Sequence, residues 1–553
     1  MFVRAKKSGK YRYLQVVHNK RVDGRVRQQV IATLGRLDVL QKTGQLDGLL
    51  QSCGRFAEHT AVLDAHHQGR LQEADTIKIG PVLVFERLWN ELGFPEIFKK
   101  LLARRHYTFS LERVVFMTVL HRLFDPGSDR AAEAWKDDYA IDGLEDIQLH
   151  HSYRTMGWLG EPLPADQQDG ATPFSPRCTK DLIEEAFFQR RQDLFSSLDL
   201  VFFDTTSIYF EGRGGESIGR HGHTKDRRPD CKQMVVAAVL DDTGTPVCCE
   251  LWPGNVADVK TLLPIVDRLK KRFGIKRVCV VADRGMISRE TIQSLEKQQN
   301  TGVHYILGAR MRRVKEIRQE VLSRAGRYTC VREAGICSKD PSPLKVKEVY
   351  IEDRRYIVCC NDEQAEKDRR DRQAIVEALR DRLKQGDKSL VGNKGYRKYL
   401  KRPAKGHFEI DENKIKAEER FDGKWVLRTD LDIPASEVAL KYKQLWLVED
   451  VFRSIKSILQ TRPIYHRCDD TIRGHVFCSF LALILLKELR SRMQSRGWKV
   501  EWQRLKRDLD ALVHITTSVN GKTIKLRSRL RGDAGKALKA AGVALGSTVQ
   551  VSD

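Results

Sequence analysis

Apolar residues recur along this chain with two different periods, and the changes between them mark its divisions. Near the amino terminus the runs YRYLQVV and QQVIATLG read as short strands set among basic residues. From 76 to 197 the spacing lengthens. FERLWNELGFPEIFKKLL, LERVVFMTVLHRLF and DLIEEAFFQRRQDLF place apolar residues at three- and four-residue intervals, which predicts helices. From 198 the runs LVFFDTTSIYF, QMVVAAVLDD and PVCCELW predict three neighbouring antiparallel strands, divided by turns that carry Gly and Pro. An amphipathic segment (DVKTLLPIVDRLKKRF), a β run (RVCVVADRG), a helix around SRETIQSLEKQQ and a short strand (HYILGAR) complete the order βββαβαβ.

That order is what a ribonuclease-H-like mixed α/β sheet requires: a meander followed by right-handed crossovers. After 311 the pattern breaks into strand-like pieces (LKVKEVYIED, RYIVCCN), a charged helix (EKDRRDRQAIVEALRDRLKQ) and a Lys-rich stretch. ALKYKQLWLVEDVFRSIKSIL then returns to a 3.6-residue period, predicting one helix over about 435–459, and the remainder reads as helical before the basic run KLRSRLRG. The expected divisions are a basic amino-terminal DNA-binding domain (1–75), a helical region (76–197), the catalytic core (198–311 and 424–490), an insertion domain (312–423) and a helical, basic carboxy-terminal region (491–553).

A chain of 553 residues exceeds what one hydrophobic core holds, so several domains are expected. Lys and Arg total 98 against 74 for Asp and Glu, and the resulting +24 favours a polyanionic partner, nucleic acid first. The opening MFVRAKKSGKYRYLQ lacks the apolar run of a secretory signal, and the apolar stretch 476–486 is too short to span a bilayer. The 12 cysteines form no CxxC pair. These features lead to the expectation of a cytoplasmic, nucleoid-associated protein with reduced thiols and no membrane partner.

Three acidic residues carry the candidate chemistry. Asp204 lies within the apolar strand LVFFDTTS, where a carboxylate costs several kcal/mol unless a positive group compensates it. Asp283 ends the apolar run VCVVADRG, and two carboxylates at strand ends of one sheet can converge on a metal. Strand-end aspartates also serve as plain turn residues. Tyr442, Glu449 and Lys456 are spaced seven and seven, close to one helical face. Glu449 could complete a metal cage, Lys456 and Arg453 could hold phosphate oxygens, and Tyr442 could meet a nucleic acid backbone. A solvated amphipathic helix has the same pattern. In the loop GHTKDRRPDCKQ, His221, His223 and Asp226 suggest a metal, but Lys225, Arg227, Arg228 and Lys232 make phosphate the better ligand.

The motifs DTTS (204–207), GHTKDRRPDCKQ (222–233), PGNVAD (253–258), ADRGM (282–286) and YKQLWLVEDVFRSIK (442–456) together resemble the IS4 superfamily of DDE transposases, closest to the IS1634 type. YRYLQVV with IATLGRL near the start and GHVFCSFLALILL near the end extend the resemblance over most of the chain. It implies a ribonuclease-H-like core interrupted by an insertion, with Asp204, Asp283 and Glu449 holding two Mg²⁺ ions, or Mn²⁺ as a substitute. It also implies cleavage and strand transfer of double-stranded DNA at terminal inverted repeats by a homodimer. The family's helix signature, Tyr-x2-Arg-x3-Glu-x6-Lys, is met by Tyr442, Glu449 and Lys456, whereas Leu445 stands in the arginine position and Arg453 is the substitute for that contact. Trp425 is the positional match to an aromatic residue that stacks on a displaced base. Two other readings stay open: a sequence-specific DNA-binding protein without catalysis, and an aspartate-nucleophile phosphatase built on Asp204, which lacks the usual second carboxylate because residue 206 is Thr.

Overall fold

The computed structural model describes residues 1–22, 25–54, 75–191, 200–212, 214–226, 228–275, 277–298, 302–333, 342–384, 398–401, 408–519 and 522–552. They fall into two compact units, one of residues 1–77, 513–529 and 546–553, the other of 78–512 and 530–545.

The first unit opens with β1 (Phe2–Ser8), β2 (Tyr11–Val22) and β3 (Arg25–Arg36), an antiparallel meander. Most of its side chains are exposed, and the helices Leu37–Lys42 and Gln45–Gly54 follow. The next strand, β4 (Asp75–Lys78), edges a small sheet completed by strands from the far end of the chain.

The second unit is organised by a nine-stranded mixed sheet. Its strands are β5 (Leu200–Tyr209), β6 (Gln233–Leu240), β7 (Pro246–Pro253), β8 (Val278–Ala282), β9 (Val303–Gly308), β10 (Thr329–Arg332), β11 (Leu344–Ile351), β12 (Arg354–Cys360) and, after the two-residue hairpin β13 (Leu400–Lys401) and β14 (Glu409–Ile410), β15 (Lys424–Thr429). The spatial order is β10-β11-β12-β15-β9-β8-β5-β6-β7. β5, β6 and β7 pair antiparallel, with Asp204 opposite Ala238. β8 joins β5 in parallel, Ala282 opposite Phe203, and β9 joins β8 in parallel. Every residue of β6 and β8 is buried, so these strands read as unbroken apolar runs rather than alternations. The helices Leu262–Phe273 and Arg289–Lys297 cross between the parallel strands and pack Ile265, Leu269 and Leu295 on Val201, Phe203 and Trp252. β10, β11 and β12 of segment 312–423, joined through β15, lengthen this same sheet, so the segment adds strands to the core besides its small β13–β14 hairpin.

Helices Gly80–Glu91, Phe94–Leu102, Leu111–Phe124, Asp129–Trp135, Leu149–Gly160 and Thr179–Arg191 fill the stretch where helical spacing was expected. Ser110 and Ser128 cap two of them through hydrogen bonds from Arg113 N and Ala131 N. Asp469–Gln494 is buried on nearly all sides through its middle and packs on Leu149–Gly160 and Leu111–Phe124. Among the described residues no helix is long and apolar enough to cross a membrane.

β7 is an edge strand, and buried charges close it. Cys249 N donates to Glu184 Oε1 at 3.0 Å and Lys180 Nζ donates to Cys249 O at 2.8 Å, so at mid-strand the outward-facing N–H and C=O of Cys249 are satisfied by the helix Thr179–Arg191. Around them Arg272 donates to Glu185 and Glu184 at 2.7 Å and to Glu250 at 3.2 Å, while Arg268 meets Glu250 at 2.7 Å and Asp181 at 2.6 Å. Burial opposes the ionisation of Asp181, but Arg272, Lys180 and Arg268 outweigh it and hold that carboxyl well below the usual range.

Two expectations need correction. The segment 435–459 is not one helix: Ala435–Lys443 and Trp446–Arg453 are separated by a turn at Gln444 and Leu445, and a wider π-type turn follows over Ser454–Ile458. The region 491–553 is only partly helical. Beyond the helices Trp502–Asp510 and Ala534–Ala541 it supplies β16 (Val513–Val519), β17 (Lys522–Arg527) and β18 (Val549–Ser552), which pair with one another and complete the sheet of β4. The β-branched run VHITTSV and the alternation in KTIKLR favour extended backbone over helix.

Candidate active site

The sheet brings Asp204 and Asp283 to neighbouring parallel strands. Asp204 lies in β5 and Asp283 directly follows Ala282, the last residue of β8, which pairs with Phe203. Burial raises the Asp204 carboxyl to about 6; Lys225 and the Thr205 N–H, which donates to Asp204 Oδ1 at 2.7 Å, oppose the shift, and the charges of Asp283 and Asp258 add to it. Asp204 is therefore a carboxylate short of positive charge.

Asp258, from the PGNVAD turn, is a residue to which sequence reasoning gave no role. Its Oδ1 accepts from Thr205 Oγ1 at 2.8 Å, and its Oδ2 lies 3.4 Å from Lys225 Nζ. Lys225 Nζ donates to Thr205 O at 2.6 Å, and Lys225 N donates to Ser207 Oγ at 2.9 Å. The loop of Lys225 is thus fastened to the strand of Asp204. Close backbone approach fixes the neighbouring turns: a Cβ on Gly222 would strike the Gly254 carbonyl, and one on Gly254 the carbonyls of Gln233 and Arg220. The signal for Asp258 was its motif, which marks a turn but not what the turn reaches.

Tyr442 donates to Asp283 Oδ1 at 3.0 Å, and its hydroxyl sits where a Cβ on Gly308 would fall. Burial and the Asp283 charge push the phenol up, so it stays a donor. Tyr442→Phe should keep the fold and weaken metal-dependent activity by roughly tenfold, the scale of one lost hydrogen bond to a charged group. Unchanged metal dependence in a steady-state titration would remove Asp283 orientation as its role.

Glu449 is exposed on the helix Trp446–Arg453, which packs on β5 and β6. It is not among the leading charges that act on Asp204. Lys456 donates to Asp226 Oδ1 at 2.8 Å, and Arg462 lies 2.9 Å from Asp226 Oδ2. Asp226 thus faces two cations, leaving no role for it beside His221 and His223 as a metal ligand. Nothing in the sequence near Arg462 pointed to this clasp. Arg453 is largely exposed and 3.6 Å from Asp450. Arg228 pairs with Asp230 at 2.9 Å and stands over the Tyr209 ring, 5.1 Å from its centre. Trp425 lies in β15 opposite Cys359, with Lys443 Nζ 5.6 Å from its ring centre. Arg227 lies outside the described residues.

Among the described residues one group of three has ligand atoms within 4.8 Å of one another, and it is Asp129, His466 and His475; Asp204, Asp283 and Glu449 are not drawn together to that degree. The Arg122 guanidinium already serves it, donating to His475 Nδ1 at 2.9 Å and standing 3.6 Å from Asp129. A second cation there would meet direct repulsion. The group is a buried clasp: Arg122 ion-pairs with Asp129 of the helix Asp129–Trp135 and hydrogen-bonds to His475 of Asp469–Gln494.

A family model described as "Transposase DDE domain" matches residues 196–485, and one described as "IS1634 family transposase, N-terminal domain" matches residues 2–64. A search of curated proteins finds no match.

Proposed function

Because this chain belongs to the DDE transposases and carries an IS1634-type amino-terminal domain, we propose that it cuts the ends of an insertion sequence and joins them to target DNA. The observation that carries the chemistry is the placement of Asp204 and Asp283 on adjacent parallel strands, with Asp204 half-buried and undercompensated. The strand order β7-β6-β5-β8-β9 supports a ribonuclease-H-like core, lengthened by the inserted segment 312–423. The density of Lys and Arg in β1, β2 and β3 supports DNA binding by the first 75 residues.

Carboxylate oxygens suit a hard divalent cation, so Asp204 and Asp283, with Glu449 from the helix packed on β5, are the residues to hold Mg²⁺. Bound there, two Mg²⁺ ions would lower the pKa of an attacking water or 3′-hydroxyl and stabilise the leaving oxygen. The chain's own groups prepare this. Tyr442 orients Asp283, Asp258 anchors Lys225 beside Asp204, and the more exposed Arg228 and Arg453 offer cations to the DNA backbone, while Lys456 holds the Lys225 loop through Asp226. Two protomers, one for each element end, complete the assembly on DNA.

Wild-type chain that never nicks terminal-repeat DNA when Mg²⁺ is added would refute the catalytic reading and leave a DNA-binding protein. A second expectation concerns pH. The raised carboxyl of Asp204 stabilises the metal-free fold below its unfolded pKa of about 3.9, and that contribution is lost as pH rises through about 6. Metal binding must displace this proton at low pH, so apparent Mg²⁺ affinity should fall roughly tenfold per pH unit below 6. Calorimetric titrations at pH 5 and pH 7.5 check it, and equal affinities would contradict it.

A further inference from the structure

A cavity of about 790 Å³ opens on the sheet between the helix Arg289–Lys297 and the turn 310–317. Leu307 on its floor shares a core with Phe203, and Arg428 on its floor stands three residues from Trp425, so strand alternation turns both Asp204 and Trp425 to the opposite face. We propose that this cavity binds a free nucleoside polyphosphate. The inference goes beyond the transposase reading and does not need it.

The opening exists because two hydrophobic cores on this face stop short of each other. One, with Leu295, ends at Tyr305 and Leu307; the other, with Ile317 and Val321, begins at Tyr356. Between them the register sets Arg428 opposite both Leu307 and Tyr356. A guanidinium set into a sheet brings five N–H donors that apolar cover leaves unsatisfied. Glu296 accepts from Arg428, and the Tyr356 ring centre lies 5.8 Å from the guanidinium, but the Arg428 Nε is buried with no partner.

Charge decides the class of occupant. Of the carboxylates in the wall, Glu296 meets Arg428, Glu316 and Glu352 meet Arg354, and Asp430 meets His304 at 2.9 Å, which leaves Asp353 without a cation. Three arginines of the wall have no carboxylate partner among the described residues. Arg289 and Arg313 are exposed with unpaired side chains, and Arg310 donates only to the carbonyls of Arg284 and Gly285, at 2.9 and 3.1 Å. That surplus favours an anion, and a guanidinium fork matches phosphate oxygens two at a time. Size and the remaining wall decide the rest. Small-molecule sites span about 300–1,000 Å³, and this one has far more room than phosphate alone fills. Ile292 and Val314 offer apolar surface to a base, and the exposed, unpaired Gln293 amide both donates and accepts at its edge.

The test is calorimetry on the full chain at about 0.15 M salt, where attraction to its general positive charge is screened within about 8 Å. ATP without Mg²⁺ should bind once per chain, and tripolyphosphate, which lacks the base and sugar, about tenfold more weakly. Arg313→Glu and Val314→Trp change exposed positions, so the fold should survive both, and each should weaken ATP by about tenfold or more, the first through charge and the second by filling the cavity. Arg370→Glu, an exposed arginine outside the lining, should leave ATP binding as it is. Equal weakening by Arg370→Glu, binding unaltered by Arg313→Glu or Val314→Trp, tripolyphosphate as tight as ATP, or no binding at about 1 mM ATP overturns the proposal. Displacement of ATP by a single-stranded oligonucleotide that Arg313→Glu weakens to the same degree also overturns it, by giving the cavity to DNA.

Discussion

Asp204→Asn is expected to lose metal-dependent DNA cleavage by a factor on the order of 10³ or more while still binding terminal-repeat DNA. Asparagine keeps the shape of the half-buried side chain and its acceptor for Thr205 N, but removes the charge on which the proposed cation binding depends. Burial strengthens this expectation. Lys225 offsets only part of the cost of burying this carboxyl, which stays raised, so a cation has room to stabilise it further. Asp283→Asn should do the same. Glu449→Gln is the decisive comparison, because that residue is exposed while the helix bearing it packs on β5. A comparable loss with intact DNA binding would support Glu449 as the third ligand. Asp258→Asn should cost less, since it removes an acceptor for Thr205 and a partner for Lys225 without emptying the aspartate pair. Wild-type cleavage by Asp204→Asn would sink the metal-site assignment.

The second large effect is on stability. Arg272→Met should destabilise the unit holding the nine-stranded sheet by about 3–5 kcal/mol, because it strips a shared cation from buried carboxylates. Arg272 is fully buried and bonds Glu184, Glu185 and Glu250 at once, with Asp181 at 3.4 Å. Lysine would restore the charge but not the three-way fork, so Arg272→Lys should recover only part of the loss. The urea midpoint of the full chain reads both variants. A shift in Arg272→Met equivalent to less than about 1 kcal/mol would mean that water or rearrangement replaces the lost charge.

The core was legible because its strands announce themselves locally. LVFFDTTS, QMVVAAVL and VCVVA are apolar, β-branched and bounded by turns, and their order alone gave βββαβαβ. Asp204 and Asp283 stood out because a carboxylate interrupts or ends an apolar run. The ionic network was invisible for the opposite reason: Asp181, Glu184 and Glu185 occupy helix positions that look solvated, and only the fold sets them against Arg268 and Arg272. The break at Gln444 and Leu445 was equally hidden, because the apolar period runs through it unchanged. The strands after 512 were missed because basic residues among the β-branched ones drew attention to charge rather than to alternation.

The plugged margin at Cys249 bears on how such a molecule can grow. A hydrogen-bonded layer accepts new ribbons only where donors and acceptors face outward unsatisfied, and at the middle of β7 Lys180 and Glu184 already occupy those of Cys249. The opposite margin, beyond β9, is where β15, β12, β11 and β10 were added. Elaboration of this architecture is thereby channelled in one direction, so engineered or natural additions of strand should be tolerated past β10 and rejected past β7.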